Sequence, residues 1–144
     1  MHTLKLKVNA SELMIGDFVF INGKVAKITG FHSNALMGLG VQLENDSTFY
    51  SEERLRPIVI RPDILKDNGF FQTENPRHFM LKGWKENIIV QFLSDGFRPS
   101  NPKPHALLKI DKDDSLNYFQ VEVKFIHQLQ QAMRLAKCIK QIKL

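Results

Sequence analysis

A chain of 144 residues, 43% hydrophobic and 24% charged, has the composition of a soluble globular protein and the length for one ordinary domain or two very small ones. No apolar run approaches the roughly 20 residues needed to span a bilayer, and the opening MHTLKLKVNASEL lacks the apolar centre of a secretory signal. A single cysteine, Cys138, excludes an internal disulfide, so a reducing, cytoplasmic setting is expected. The formal charge of +5 is unevenly placed: up to Val123 there are 15 basic and 15 acidic residues, and from Lys124 onward five basic and no acidic ones.

In chain order, residues 17–21 form a short β-rich run followed by Asn22-Gly23, a hairpin signal because both residues tolerate φ > 0. Residues 24–29 supply the returning strand, Gly30 ends it, and residues 31–38 read as an irregular connection. Residues 39–43 and 48–50 read as a second hairpin across Glu44-Asn-Asp-Ser. Ser51-Glu-Glu-Arg-Leu offers an N-cap and one helical turn, and residues 56–60 a short closing strand with Pro57 suited to an edge. Four strands, one helical turn and a fifth strand within about 50 residues predict a small SH3-like barrel over residues 1–60. Phe18, Phe20, Phe31, Phe49 and Tyr50 either fill that barrel or stack nucleobases; a barrel this small needs most of them inside.

Residues 61–144 read as an α+β domain. Pro62 opens a short helix at a position where its missing N–H costs nothing, and Gly69 suits the left-handed position at its end. Strands are expected over residues 79–84, 87–93 and 105–110, and a fourth follows the Asp111-Lys-Asp-Asp-Ser turn. In that fourth strand Phe119, Val121, Val123 and Phe125 alternate with Gln120, Glu122 and Lys124, the period of a strand with one buried face. Past Phe125 the period becomes helical. At about 100° per residue Phe125, Leu129, Ala132, Met133, Ala136 and Ile139 share one face, and His127, Gln130, Arg134, Lys137 and Gln141 the other. The overall expectation is an α+β chain: an N-terminal SH3-like barrel, then an antiparallel sheet of about four strands with a C-terminal amphipathic helix.

Three blocks carry a resemblance. Lys124-Phe-Ile-His-Gln-Leu-Gln-Gln is similar to a "YVHQLQN" signature, Ala10-Ser-Glu-Leu-Met-Ile-Gly-Asp-Phe-Val to an opening "ANELRIGNYV", and Leu55-Arg-Pro-Ile with Ile64-Leu65 and Asn68-Gly69-Phe70 to "L.PIPLTEEWLLKFGF". In this order they resemble a family of small uncharacterised proteins from Bacteroidales genomes, prophages and mobile elements. The sequence departs from the family where Arg61-Pro-Asp replaces Thr-Glu-Glu and in its lysine-rich tail. The resemblance implies an architecture and a genomic setting, and no mapped activity.

Four constellations bear on chemistry. Glu122-Val-Lys124 has the spacing of the (D/E)xK element of metal-dependent nucleases, in which carboxylates hold Mg²⁺ and the lysine stabilises phosphate charge; Pro62-Asp63 is the nearest match to the second carboxylate such a site needs. His127, among Gln128, Gln130 and Gln131, has no nucleophile context and no second ligand at helical spacing, so a hydrogen-bonding role at the helix start is expected. The loop from Ser94 to Pro104, with three prolines, is either a binding surface offering Phe97, Arg98 and Lys103 or a stiff spacer. Lys124, Arg134, Lys137 and Lys140 belong to the basic C-terminal segment, which suits nucleic acid or an acidic protein surface if it is not merely a solvated helix face. No phosphate loop, zinc-spaced Cys/His set or dinucleotide fingerprint occurs, so no metal or cofactor is expected. The sequence therefore favours a non-enzymatic binding protein, cytoplasmic and without membrane contact; the alternative is a nuclease-like enzyme using Glu122 and Lys124.

Overall fold

The computed structural model describes residues 7–34, 36, 38–46, 48–83, 86–93, 106–112, 118–138 and 140–144. It is an α+β chain with two antiparallel sheets. The chain divides into two compact units, Met1–Ile58 and Val59–Leu144.

The first unit holds strands β1 (Phe18–Ile21), β2 (Lys24–Asn34), β3 (Gly38–Leu43) and β4 (Phe49–Ser51), in that spatial order. Asn22 and Gly23 take φ of 50° and 75°, the two positive values of a type I′ turn, and Ile21 pairs with Lys24. The hairpin forms as its turn predicts. Gly30, however, does not end β2. Register shifts between Ile28 and Gly30, and pairing then continues to Asn34 opposite Gly38, so the expected irregular connection is largely strand. A glycine beside an unpaired residue marks a bulge as readily as a strand end.

The core of this unit is aliphatic: Val19, Ile21, Ile28, Val41, Leu43 and Leu55 close over Val8, Ala10 and Leu13. The aromatics lie around it, with Phe18, Phe20, Phe49 and Tyr50 half-buried and Phe31 exposed, contrary to the expectation that most would fill the interior. The pleat explains this, since Val19 and Ile21 take the inward positions of β1 and leave Phe18 and Phe20 the other face. Asp17 is buried; its Oδ2 accepts the Met14 N–H at 2.8 Å while its carbonyl accepts the Ile28 N–H, tying the entry loop to β2. Gly40 admits no side chain, because a Cβ there would strike the Phe49 ring and the Tyr50 carbonyl oxygen.

After β4 a 3₁₀ turn spans Glu52–Arg54. Ser51 precedes it but makes no side-chain cap bond; the turn is tied instead by Glu52, whose Oε2 accepts the Ala10 N–H at 2.8 Å. Residues 56–60 do not form the expected closing strand. Arg56 makes a single bridge to Phe20, with both backbone bonds at 2.9 Å, and Val59 bridges Phe125. Pro57, between them, has no N–H to give a ladder. As described, the first sheet does not close on itself.

In the second unit Pro62 opens α1 (Pro62–Asp67), and Gly69, at φ 89°, ends it. Among the described residues five strands follow, against the expected four or so: β5 (Phe71–Gln72), β6 (His78–Lys82), β7 (Glu86–Phe92), β8 (Ala106–Lys112) and β9 (Tyr118–Val123), each antiparallel to the next. The two residues of β5 are too short for any period to reveal. Rows such as Phe79–Val90–Leu108–Val121 run across one face, and Phe79 meets Phe92 edge-on at 5.8 Å. Burial alternates without exception along β7, from Glu86 to Phe92. The last element is α2 (Ile126–Leu135).

Candidate binding surface around the last helix

β9 passes into α2 through Phe125, whose extended backbone (φ −124°, ψ 155°) makes it the N-cap. Phe125 has no side-chain oxygen and makes no side-chain cap bond, so the cap comes from the other direction. Gln128 Oε1 accepts the N–H groups of Lys124 at 2.7 Å and Phe125 at 3.2 Å, the reciprocal half of a capping box. His127 is 1% exposed, its ring stacked on Phe125 with centroids 5.7 Å apart.

This placement corrects the predicted helix faces. His127 and Gln130 are buried together with Ile126, Leu129, Ala132 and Met133, an arc of about 220° at 100° per residue. The remaining arc carries Gln128, Gln131 and Leu135, with Leu135 76% exposed. Polar residue type misassigned His127 and Gln130 because tertiary packing covers both flanks of the helix. The helix is also shorter than its periodicity suggests. Lys137 adopts φ 56°, its N–H donates to Arg134 O, and the Cys138 N–H donates to Met133 O, both at 2.9 Å. That is a Schellman closure with lysine in the place glycine usually takes.

The predicted basic residues consequently do not form one stripe. Lys124 is exposed before the first turn, Arg134 is half-buried in the last, and Lys137 and Lys140 are exposed beyond it. The ten residues of α2 separate the two ends by about 15 Å. Beyond the helix, the Lys143 N–H donates to Asn68 Oδ1 at 2.7 Å, Asn68 Nδ2 in turn donates to Ile64 O, and Ile142 is buried. The pinned tail brings Lys140 and Lys143 to one open hollow beside Asp67 and Asn68.

Glu122 and Lys124 are both exposed. The Ile60 N–H donates to Lys124 O at 3.2 Å, which carries the chain toward α1, but the Asp63 carboxylate is engaged by Arg61 Nε at 3.0 Å. Among the described residues no three His, Cys, Asp or Glu side chains gather as a metal site. Phe97, Arg98 and Lys103 lie outside the described residues. Among the described residues no helix is long and apolar enough to cross a membrane.

One feature lies outside the sites expected from the sequence. A shallow open groove of about 250 Å³ lies between β9 and α2, lined by Val121, Glu122 and Val123 on one side and Gln131, Ala132 and Leu135 on the other. Among the described residues β9 stands last in the strand order of its sheet. The clue available beforehand was Leu135, an apolar residue in the basic segment that fitted neither predicted helix face.

In the first unit, the Tyr50 hydroxyl donates to Asp46 Oδ2 at 2.5 Å and the Thr48 N–H to Asp46 Oδ1 at 2.8 Å. The Tyr50 bond, then that of Thr48, holds the Asp46 carboxyl below its ordinary value, and the carboxylate pushes the Tyr50 phenol up. The Arg54 guanidinium stands over the Tyr50 ring, 5.4 Å from its centroid. This cluster ties together the turn from β3 to β4 and the 3₁₀ turn.

Comparison with protein-family models, curated proteins and solved structures returns no match.

Proposed function

We propose that this chain is a non-enzymatic, cytoplasmic accessory protein of a prophage or mobile element that binds an anionic macromolecule, nucleic acid first, through Lys124, Arg134, Lys137 and Lys140. The observation that carries this reading is the confinement of the entire +5 charge to the segment from Lys124 onward, with Lys124, Lys137, Lys140 and Lys143 all exposed. Lysines near a helix C-terminus are also favoured by its dipole, but Lys124 precedes the helix and gains nothing that way. The first unit is read as an SH3-like small barrel in the same proposal. The strand order β1 to β4, the 3₁₀ turn after β4 and the return of Arg56 to β1 support that wrap.

The test is a salt titration of labelled single- and double-stranded DNA binding. If the segment holds phosphates, affinity falls steeply with salt, by roughly 0.9 in log–log slope for each phosphate neutralised on duplex DNA. Lys137→Gln with Lys140→Gln lowers that slope by about two such contacts and leaves stability within about 0.5 kcal/mol, since both side chains are exposed. Salt-independent or absent binding contradicts the proposal. Incubation with DNA and RNA plus Mg²⁺ or Mn²⁺ tests the enzymatic alternative: no cleavage is expected, and cleavage abolished by Glu122→Ala would replace binding with catalysis.

A protein partner with an acidic surface is the second reading. It is favoured by Leu135, a large apolar side chain left 76% exposed at the groove beside β9.

A further inference from the structure

We propose that the open hollow where the C-terminal tail meets the end of α1 seats one guanine nucleotide of a single-stranded nucleic acid, with Asp67 accepting from the base and Lys140 and Lys143 holding the adjoining phosphates. This rests on the nucleic-acid reading above and names the form of strand and the base that the basic segment selects.

The tail that shapes the hollow is held by its own bonds. The Lys143 N–H donates to Asn68 Oδ1 at 2.7 Å, Gln141 Nε2 donates to Cys138 O at 2.7 Å, and Ile142 between them is buried. Asn68 is fixed to α1 in turn, its Nδ2 donating to Ile64 O at 2.9 Å. A segment of the kind that commonly frays thus keeps Lys140 and Lys143 around the same space as Asp67, about 520 Å³ in volume. That is the size of a site for a small organic unit and more than a lone ion requires.

The charges around this space do not neutralise one another. Asp67, Lys140 and Lys143 are all exposed, and among the described residues none of the three makes an ion pair. Helix stability does not account for the carboxylate either. Asp67 is the last residue of α1, where the dipole disfavours an anion.

A ligand that satisfies all three groups carries an anionic group and, beside it, hydrogen-bond donors. Bare phosphate meets the first condition only, since Asp67 repels it. A nucleotide meets both, and guanine fits best. Its N1–H and N2–H₂ stand side by side on the Watson–Crick edge and match the two oxygens of one carboxylate. Adenine and cytosine each offer one amino group on that edge, and thymine one N–H. The edge is open only where the base is unpaired, which selects a single strand. No aromatic side chain lines the hollow, so the choice of base falls to hydrogen bonding and not to stacking. Lys137, exposed just before this segment, extends the basic surface past one nucleotide and favours a strand over a free nucleotide.

The experiment measures fluorescence anisotropy of the full chain with short labelled thymidine oligomers carrying one central guanine, hypoxanthine or adenine. Hypoxanthine keeps N1–H and lacks the N2 amino group. The guanine oligomer is expected to bind about fivefold or more tighter than either of the others. Asp67→Asn should erase that preference and leave the salt slope unchanged, because it removes no phosphate contact. Lys140→Gln with Lys143→Gln should lower the log–log salt slope by roughly 0.7 for each phosphate released and leave the guanine preference in place. All three side chains are exposed, so neither variant endangers the fold. Salt-dependent binding without a guanine preference, or a preference that survives Asp67→Asn, overturns this inference and leaves nucleic-acid binding standing. Guanosine monophosphate displacing the strand at comparable concentration overturns it too, by giving the hollow to a free nucleotide. Absence of salt-dependent binding to every oligomer removes the wider reading with it.

Discussion

At the scale of single residues, the Asp46–Tyr50 contact ties stability to pH from both sides. Asp46 has its folded-state pKa depressed below the ordinary 3.8, so its contribution is present above that value and lost as pH falls through the folded pKa. Tyr50 is shifted the other way. Raised above the ordinary 10.0, it contributes below that value and loses the contribution as pH rises through its folded pKa. A carbon-detected titration of the Asp46 carboxyl should therefore show a low midpoint in the wild type. In Tyr50→Phe the midpoint should rise toward 3.8 without reaching it, because the Thr48 N–H still bonds the other oxygen. An unchanged midpoint would mean that the hydroxyl bond does not form in solution.

At the scale of elements, α2 has two determinants that its hydrophobic pattern does not contain. The first is the Gln128 cap; the second is the left-handed Lys137 that stops the helix. A lysine at positive φ carries a steric cost that glycine does not. Lys137→Gly should accordingly stabilise the second unit by up to about 1 kcal/mol relative to Lys137→Gln, a pair in which the charge is lost equally. Urea denaturation compares them directly, and a less stable glycine variant would show that the helix does not end there.

These elements also separate what the sequence discloses from what it hides. The Asn22-Gly23 turn was legible because its two positive φ values belong to the residues themselves, and β9 because Val121 and Val123 alternate with Gln120 and Glu122 along the strand. The continuation of β2 past Gly30 was not, since a bulge and a strand end present the same glycine locally. The burial of His127 and Gln130 was not either, because what covers a polar side chain is decided by residues distant in sequence. Of the candidate surface, the concentration of charge could be counted in advance. Its division between the two ends of α2, and the groove beside Leu135, depend on where the helix stops and which arc stays open.

At the scale of the whole molecule, two sheet-based units carry very different charge. The first 123 residues balance, and the imbalance begins at the junction of β9 and α2. Solvation alone would let cations scatter over the surface; here Lys124, Lys137, Lys140 and Lys143 bracket one helix whose own length is mostly buried. That distribution is the basis for reading the chain as a binding protein. The most direct test is to map amide chemical-shift changes in a nitrogen-15-labelled full chain on titration with a single-stranded oligonucleotide at low salt. Changes concentrated at Lys124 and from Lys137 to Lys143, and abolished at high salt, are what the proposal predicts. Changes confined to the first unit, at Phe31 or Phe49, or no changes at all, would contradict it.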